Sequence, residues 1–165
     1  MNFNFTDIQS RKELSQVIDF LHKQDLNYPN YEAWVQKAEA ELIDGYKNAV
    51  LAFSERNIVG DIIYQQHKEN PKFLELKNIR IHPEIRERSF ARFMLKQVEV
   101  ENQNYDAIVV DASSKHIEMI SFMKNQGYTE ILSKPLYGNG APDIVMIKPI
   151  KKSGKIIIPR ALEMF

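Results

Sequence analysis

The sequence has 165 residues, enough for one domain with a sizeable core and too few for two comfortable ones. Hydrophobic residues at 44% and charged residues at 27% are ordinary for a globular chain, which excludes disorder and fibrous repeats. The 22 Lys+Arg cancel the 22 Asp+Glu, which argues against nucleic acid as a partner, and the lack of cysteine excludes disulfides and thiolate chemistry.

The longest apolar run, Ala49–Phe53, is far short of the ~20 residues that span a bilayer. With no basic leader ahead of an apolar stretch, the reading is a cytoplasmic chain without a membrane partner. Residues 2–8 suit a first strand with Phe3 and Phe5 inward. Ser10-Arg11-Lys12-Glu13 has the form of a capping box, each polar side chain satisfying a backbone donor that a helix start leaves orphaned. Leu14, Val17, Ile18 and Leu21 then recur at helical spacing, giving one apolar face of a helix that ends near Gln24. A second helix is expected over Tyr31–Asp44, with Trp34, Ala38 and Leu42 on one side and Gly45 closing it.

From residue 48 the period changes. Ala49–Phe53 and Ile58–Gln66 are β-rich and are joined by Ser54-Glu55-Arg56-Asn57, a hairpin turn. A third such run covers Phe73–Ile81 and stops at His82-Pro83. Ser89–Gln103 returns to helical spacing with Ala91, Met94, Leu95 and Val98 on one face, and Tyr105–Asp111 is a short apolar strand. Ser113 or Ser114 is the expected cap of a helix ending near Gly127. Strands over Tyr128–Leu136 and Asp143–Ile150 flank a Gly138–Pro142 turn. The order β-α-α-β-β-β-α-β-α-β-β implies an α/β fold with a mixed sheet and helices on both faces. Residues 1–150 form the domain. Lys151–Phe165 is a tail whose Ile156–Ile158 suits an edge strand and whose Ala161–Phe165 suits a docking segment.

Residues 73–98 carry the chemistry: a strand, the short loop Pro83–Arg88, then a helix opening at Ser89-Phe90-Ala91. A helix start exposes backbone N–H groups at the positive end of its dipole, and small residues there let an anion approach the backbone. Arg86, Arg88 and Arg92 cluster at the same place, so these residues could cradle a diphosphate. The plainer reading is a strand-to-helix turn with a solvated charge cluster. The four histidines, at 22, 67, 82 and 116, lack metal-ligand spacing, and no metal is expected.

The run from Ile81 to Leu95 resembles the acyl-CoA-binding motif of the GNAT superfamily of N-acetyltransferases, Arg/Gln-x-x-Gly-x-Gly/Ala between a strand and a helix. Arg86 falls on its first position, Ser89 on its first glycine and Ala91 on its last small residue. Ser121–Tyr128 resembles the closing signature of that superfamily, a helix ending in Gly followed by an aromatic, and the element order matches over residues 3–150. The resemblance implies a mixed, mostly antiparallel sheet of about seven strands whose fourth and fifth members splay apart. It implies acetyl-CoA as co-substrate, with Ile79, Arg80 and Ile81 offering backbone to the pantetheine arm. Arg86, Glu87, Arg88, Ser89, Phe90 and Ala91 would hold the diphosphate, with Arg92 close by. The acceptor would be a primary amine of a small molecule or protein, entering on the side of the first two helices and the Gly138–Pro142 turn.

A lysine-like amine is neutral to only about one part in two thousand near pH 7, so transfer needs a base. Some family members carry a glutamate on the fourth strand six residues before the motif's last apolar residue; counting back from Ile81 gives Glu75. The plainer reading of Glu75 is a solvent-facing strand residue paired with Lys77. The family's thiolate-protonating tyrosine, four residues before the closing glycine, is replaced here by Met123. Tyr128, Tyr137 or Tyr64 stands in for it, or CoA leaves as the unaided thiolate, or the domain is a non-catalytic module that binds acyl-CoA or a protein. Edge strands and the apolar tail would suit a homodimer.

Overall fold

The structure, a computed structural model, describes residues 3–24, 28–83, 86, 89–138 and 140–151. Its elements are β1 (Phe3–Asp7), α1 (Arg11–His22), α2 (Tyr31–Ile43), β2 (Lys47–Ser54), β3 (Asn57–Gln66), β4 (Phe73–Ile81), α3 (Phe90–Glu101), β5 (Ala107–Ser113), α4 (Ile117–Asn125), β6 (Thr129–Lys134) and β7 (Asp143–Pro149). This is the expected order. The strands form one sheet in the order β1-β2-β3-β4-β5-β7-β6. The β1–β2, β2–β3, β5–β7 and β6–β7 ladders are antiparallel, and β4–β5 is parallel. Contacts divide the chain into two units, Met1–Gln65 with Lys77–Glu101, and Gln66–Leu76 with Asn102–Phe165, so β4 contributes to both.

In the first unit α1 starts as its sequence dictates: Glu13 N donates to Ser10 Oγ at 3.2 Å. The reciprocal bond is displaced by one residue, because the Glu13 carboxylate accepts from Gln9 N at 2.6 Å. Ala38 is buried as expected, Tyr31 and Val35 join it as the buried residues of α2 while Trp34 and Leu42 pack partly buried beside them, and the Tyr31 hydroxyl ties α2 to α1 by donating to the Leu21 carbonyl at 2.7 Å. The β2–β3 turn has two residues between Ser54 and Asn57, with Glu55 left-handed at φ 58°.

Alternation along β2 explains the layers. Ala49, Leu51 and Phe53 pack with Val17, Leu21 and Val35 of α1 and α2. Val50 and Ala52 point the other way and are equally inaccessible, and α3 packs on β2 there. Gly60, paired with Ala52, leaves room on that face: a Cβ at this position would lie 2.8 Å from Ile81 Cδ1, 3.1 Å from Arg80 O and 3.1 Å from Met94 Cε. The close approach of α3 to the end of β4 thus depends on a missing side chain.

In the second unit β4 pairs with β5 from Phe73↔Ala107 to Leu76↔Val110; the register ends there, although β4 runs on to Ile81 and β5 to Ser113. Phe73, Ala107, Val109 and Ile147 form one core face, with Ile131 against it. The expected serine cap of α4 is not used. Ser113 belongs to β5 because its pairing with Asp143 extends the ladder, its Oγ accepts from Lys115 N at 3.4 Å, and His116 is the N-cap. The helix closes at Gly127 with φ 93°, and Tyr128 N donates to Met123 O at 3.1 Å. The tail segments at Ile156–Ile158 and Ala161–Phe165 lie outside the described residues. No helix among the described residues is long and apolar enough to cross a membrane.

Candidate functional site

The β4-to-α3 segment lies in the first unit. Ser89 is exposed and left-handed, with φ 64°, and its carbonyl accepts the first helical bond of α3 from Phe93 N at 3.1 Å. A left-handed residue immediately before a helix turns successive N–H groups toward one point, the arrangement that binds anions. Arg86 braces the loop: its Nε donates to Ile81 O at 3.2 Å and its N to Pro83 O at 3.4 Å. Arg92 is exposed, Ala91 half-buried, and Phe90 is buried against Phe5 with ring centroids 6.0 Å apart. The ring of Phe90 is thus taken up by packing. Glu87 and Arg88, with Glu84 and Ile85, lie outside the described residues.

Serine in the left-handed region costs about 1 kcal/mol, which glycine avoids at the cost of greater freedom in the unfolded chain. Ser89→Gly is expected to raise stability by about 0.5 kcal/mol, seen as a higher urea midpoint at unchanged m value. A lower midpoint would show that the left-handed turn does not form.

In the same unit β3 and β4 bury a polar cluster. Asp61 is fully buried and its Oδ2 accepts from Asn78 Nδ2 at 2.6 Å. Asp61 Oδ1 and Arg80 Nε are buried without hydrogen-bond partners, and the Arg80 Nη1 donates to Ile79 O at 2.9 Å. Burial pushes the Asp61 carboxyl up to about 6, against the lowering by the Asn78 hydrogen bond and the Arg80 charge. Ile79 is buried, whereas Arg80 and Ile81 are half-buried. Elsewhere in the first unit, Lys47 binds Glu41 and, at 2.7 Å, Gln65; burial lowers its pKa, and the Glu41 carboxylate opposes that.

The second unit holds the other candidates. Register places Glu75 beside Val109, and Asp111 two residues further along β5, on the face that also carries Asp143 at the start of β7. Over this face comes Tyr137. The residue is 43% exposed, yet desolvation at its phenol, the Asp111 charge, the hydrogen bond to Asp111 and the charges of Glu75 and Asp143 all raise its pKa. The phenol therefore stays protonated, with its proton directed to Asp111. Asp143 is fully buried; Oδ2 accepts from Leu136 N at 2.9 Å, while Oδ1 has no hydrogen-bond partner among the described residues.

Tyr128 is only 3% exposed, with Lys148 Nζ 5.8 Å from its ring centroid. Tyr64 is 6% exposed and Met123 is fully buried, so the position of the family tyrosine is here a packing position. Among the described residues no group of three His, Asp or Glu side chains could hold a metal ion.

No protein-family model and no curated protein matches this sequence. Solved structures match its fold. A GNAT-family acetyltransferase from Staphylococcus aureus superposes with a TM-score of 0.72 at 19% identity, covering 91% of this chain and 100% of that one. The ribosomal-protein-S18-alanine N-acetyltransferase of Escherichia coli gives 0.74 at 15%, covering 94% and 99%. The chain has the GNAT fold. A spermidine/spermine N-acetyltransferase from Vibrio cholerae shares it at a TM-score of 0.67 and 12% identity, covering 90% of this chain and 95% of that one.

The β4–β5 register runs from Phe73↔Ala107 to Leu76↔Val110 and includes Glu75. Glu75 and Tyr137 are candidates that the sequence already offers, whereas Asp111, Asp143 and Asp61 enter only with the structure. The available signal was an acid closing or interrupting an apolar run, as in Ala107–Asp111 and Gly60–Tyr64, since such carboxylates are seldom buried without a role.

Proposed function

We propose that this protein is an acyl-CoA-dependent N-acyltransferase that moves an acetyl group from acetyl-CoA directly to a primary amine of a small molecule or protein. The observation that carries the reading is the left-handed, exposed Ser89 at the start of α3, directly after a strand whose pairing with β5 stops at Leu76. The backbone of Ile79, Arg80 and Ile81 takes the pantetheine arm. The 86–91 loop takes the diphosphate through backbone N–H groups, with Arg86 and Arg92 supplying positive charge.

Glu75 removes a proton from the acceptor ammonium. The neutral nitrogen attacks the thioester carbonyl, a C–N bond forms, the C–S bond breaks, CoA departs as a thiolate, and the second proton of the nitrogen leaves to water as the amide forms. A thiol of pKa near 8.5 is a tolerable leaving group, so the thiolate can take its proton from water. Tyr137, its proton committed to Asp111, suits the acceptor side better than the leaving-group side. The three related structures include a ribosomal-protein and a polyamine acetyltransferase, so the shared fold does not itself choose the acceptor.

Thermal unfolding with and without acetyl-CoA tests the reading. A ligand that binds only the folded state at one hundred times its dissociation constant adds ~2.7 kcal/mol, a rise of roughly 5 to 10 °C in Tm for a chain of this size. That rise, followed by CoA release with an amine, is the expected result. A rise without release from any amine would favour a non-catalytic acyl-CoA-binding module, for which the buried Met123 already speaks. No rise would overturn the reading.

A further inference from the structure

We infer that two copies of this chain pair about a two-fold axis normal to the sheet, with β1 against β1 and the exposed apolar side of α3 toward its counterpart. The two edge strands of the sheet are built differently. β6 carries Glu130 and Lys134, and its register with β7 shifts between Glu130 and Leu132. Charges and irregularities on an edge strand hinder the addition of a further strand. β1, at the other edge, reads Phe-Asn-Phe-Thr-Asp, with no lysine or proline and a charge only at its last residue. It keeps one register with β2 from Phe3↔Ser54 to Asp7↔Val50. Among the described residues no strand pairs with its outer side. Such an edge holds backbone N–H and C=O groups in line for another strand.

In the same unit α3 adds an apolar surface beside that edge. Phe5 of β1 pairs with Ala52 of β2, on the face that α3 covers, and its ring centroid is 6.2 Å from that of Phe93. Phe93 nevertheless stays 57% exposed, and Val100, two turns further along the same side of the helix, is 59% exposed. Positions on the outer side of a surface helix are ordinarily polar, and large apolar side chains there gain by being covered.

One axis serves both features. A half turn about the sheet normal reverses every element that lies along the sheet and keeps it on the same face. β1 therefore meets its copy antiparallel, and so does α3. The charges on α3 suit that reversal: exposed Arg92 and Lys96 lie in its first half, and exposed Glu101 ends it. Reversed copies set the basic half of one helix toward the acidic end of the other, with their dipoles opposed. Parallel copies would set like charges side by side. A surface that complements itself in both strand edge and helix charge fits a second copy of this chain.

Sedimentation velocity of the full chain, without acetyl-CoA, reads the assembly, and hydrogen exchange reads the surface. A dimer of twice the chain mass is expected by about 100 μM, where interfaces of standard size are formed. The amides of β1 should exchange more slowly as concentration rises through the transition, while those of β6 do not change. Phe93→Glu, at an exposed position, should weaken the dimer by about thirtyfold or more, the scale of an aromatic hot spot at an interface. Should that variant lower the Tm, Val100→Glu is read instead, with a loss of dimer in the same direction. A chain that stays monomeric overturns the inference, whether the face is bare or is taken by residues 152–165 or by another protein. So does a dimer whose β1 exchange ignores concentration, or one that both glutamate variants leave intact.

Discussion

Glu75→Gln should lower kcat by about a hundredfold while leaving acetyl-CoA affinity nearly unchanged, the scale of effect expected when a positioned base is lost. The glutamine keeps the size of the side chain and one acceptor oxygen, and Glu75 is only half-buried, so little packing energy is at stake. The loss belongs in the step that needs a neutral nitrogen. Above pH 9, where more of the amine is already neutral, the gap between variant and unmodified enzyme should therefore narrow. Rates measured by CoA release at saturating acetyl-CoA, with affinity measured separately, distinguish this from a folding defect. An unchanged kcat would remove Glu75 from the mechanism and return it to the role of a surface residue on β4.

The second large effect concerns stability. Asp61 titrates at about 6 in the folded protein against 3.8 for the ordinary carboxyl. Below the lower value both folded and unfolded chains carry the proton. Between the two values the folded chain keeps a proton that the unfolded chain has lost, so this group makes stability fall as pH rises. Above about 6 a constant penalty of about 3 kcal/mol remains. Asp61→Asn removes the titration. Its amide oxygen can still accept from Asn78 Nδ2, while its new N–H group meets the place where Oδ1 has no partner. That unmet donor costs about 1 to 3 kcal/mol but does not vary with pH. The stability of the variant relative to the unmodified protein is thus expected to climb from pH 4 to pH 6 and then level off, as followed by urea unfolding at each pH. A flat difference across that range would show that Asp61 is not held in a desolvated site.

The same buried cluster bears on the end of β4. Asn78 and Arg80 lie on the stretch of β4 that carries Ile79 and Ile81, and Asp61 anchors Asn78 from β3. Gly60 beside it admits the packing of Met94 and Ile81. The end of β4 is thus fixed from both of its faces, by a hydrogen bond on one and by close apolar packing on the other.

Local rules written into adjacent residues determined much of this protein. Ser10 and Glu13 start α1, the period change at residue 48 ends the helical part, and β4 begins at Phe73 and ends at Ile81 as the apolar run and the following His82-Pro83 require. The element order, and with it the GNAT fold and the placement of Ser89 before a helix, was legible because each signal lies within one turn or one strand. Residue type at Ser89 did not reveal that its backbone is left-handed; the geometry of the strand-to-helix connection imposes that. The cap of α4 was misplaced because Ser113 answers to Asp143 on β7, a partner distant in sequence. For the same reason only the tertiary structure could bring Glu75, Asp111, Tyr137 and Asp143 together, or bury Asp61 against Asn78. These groupings follow from strand register and from desolvation, and both depend on which distant segments pair.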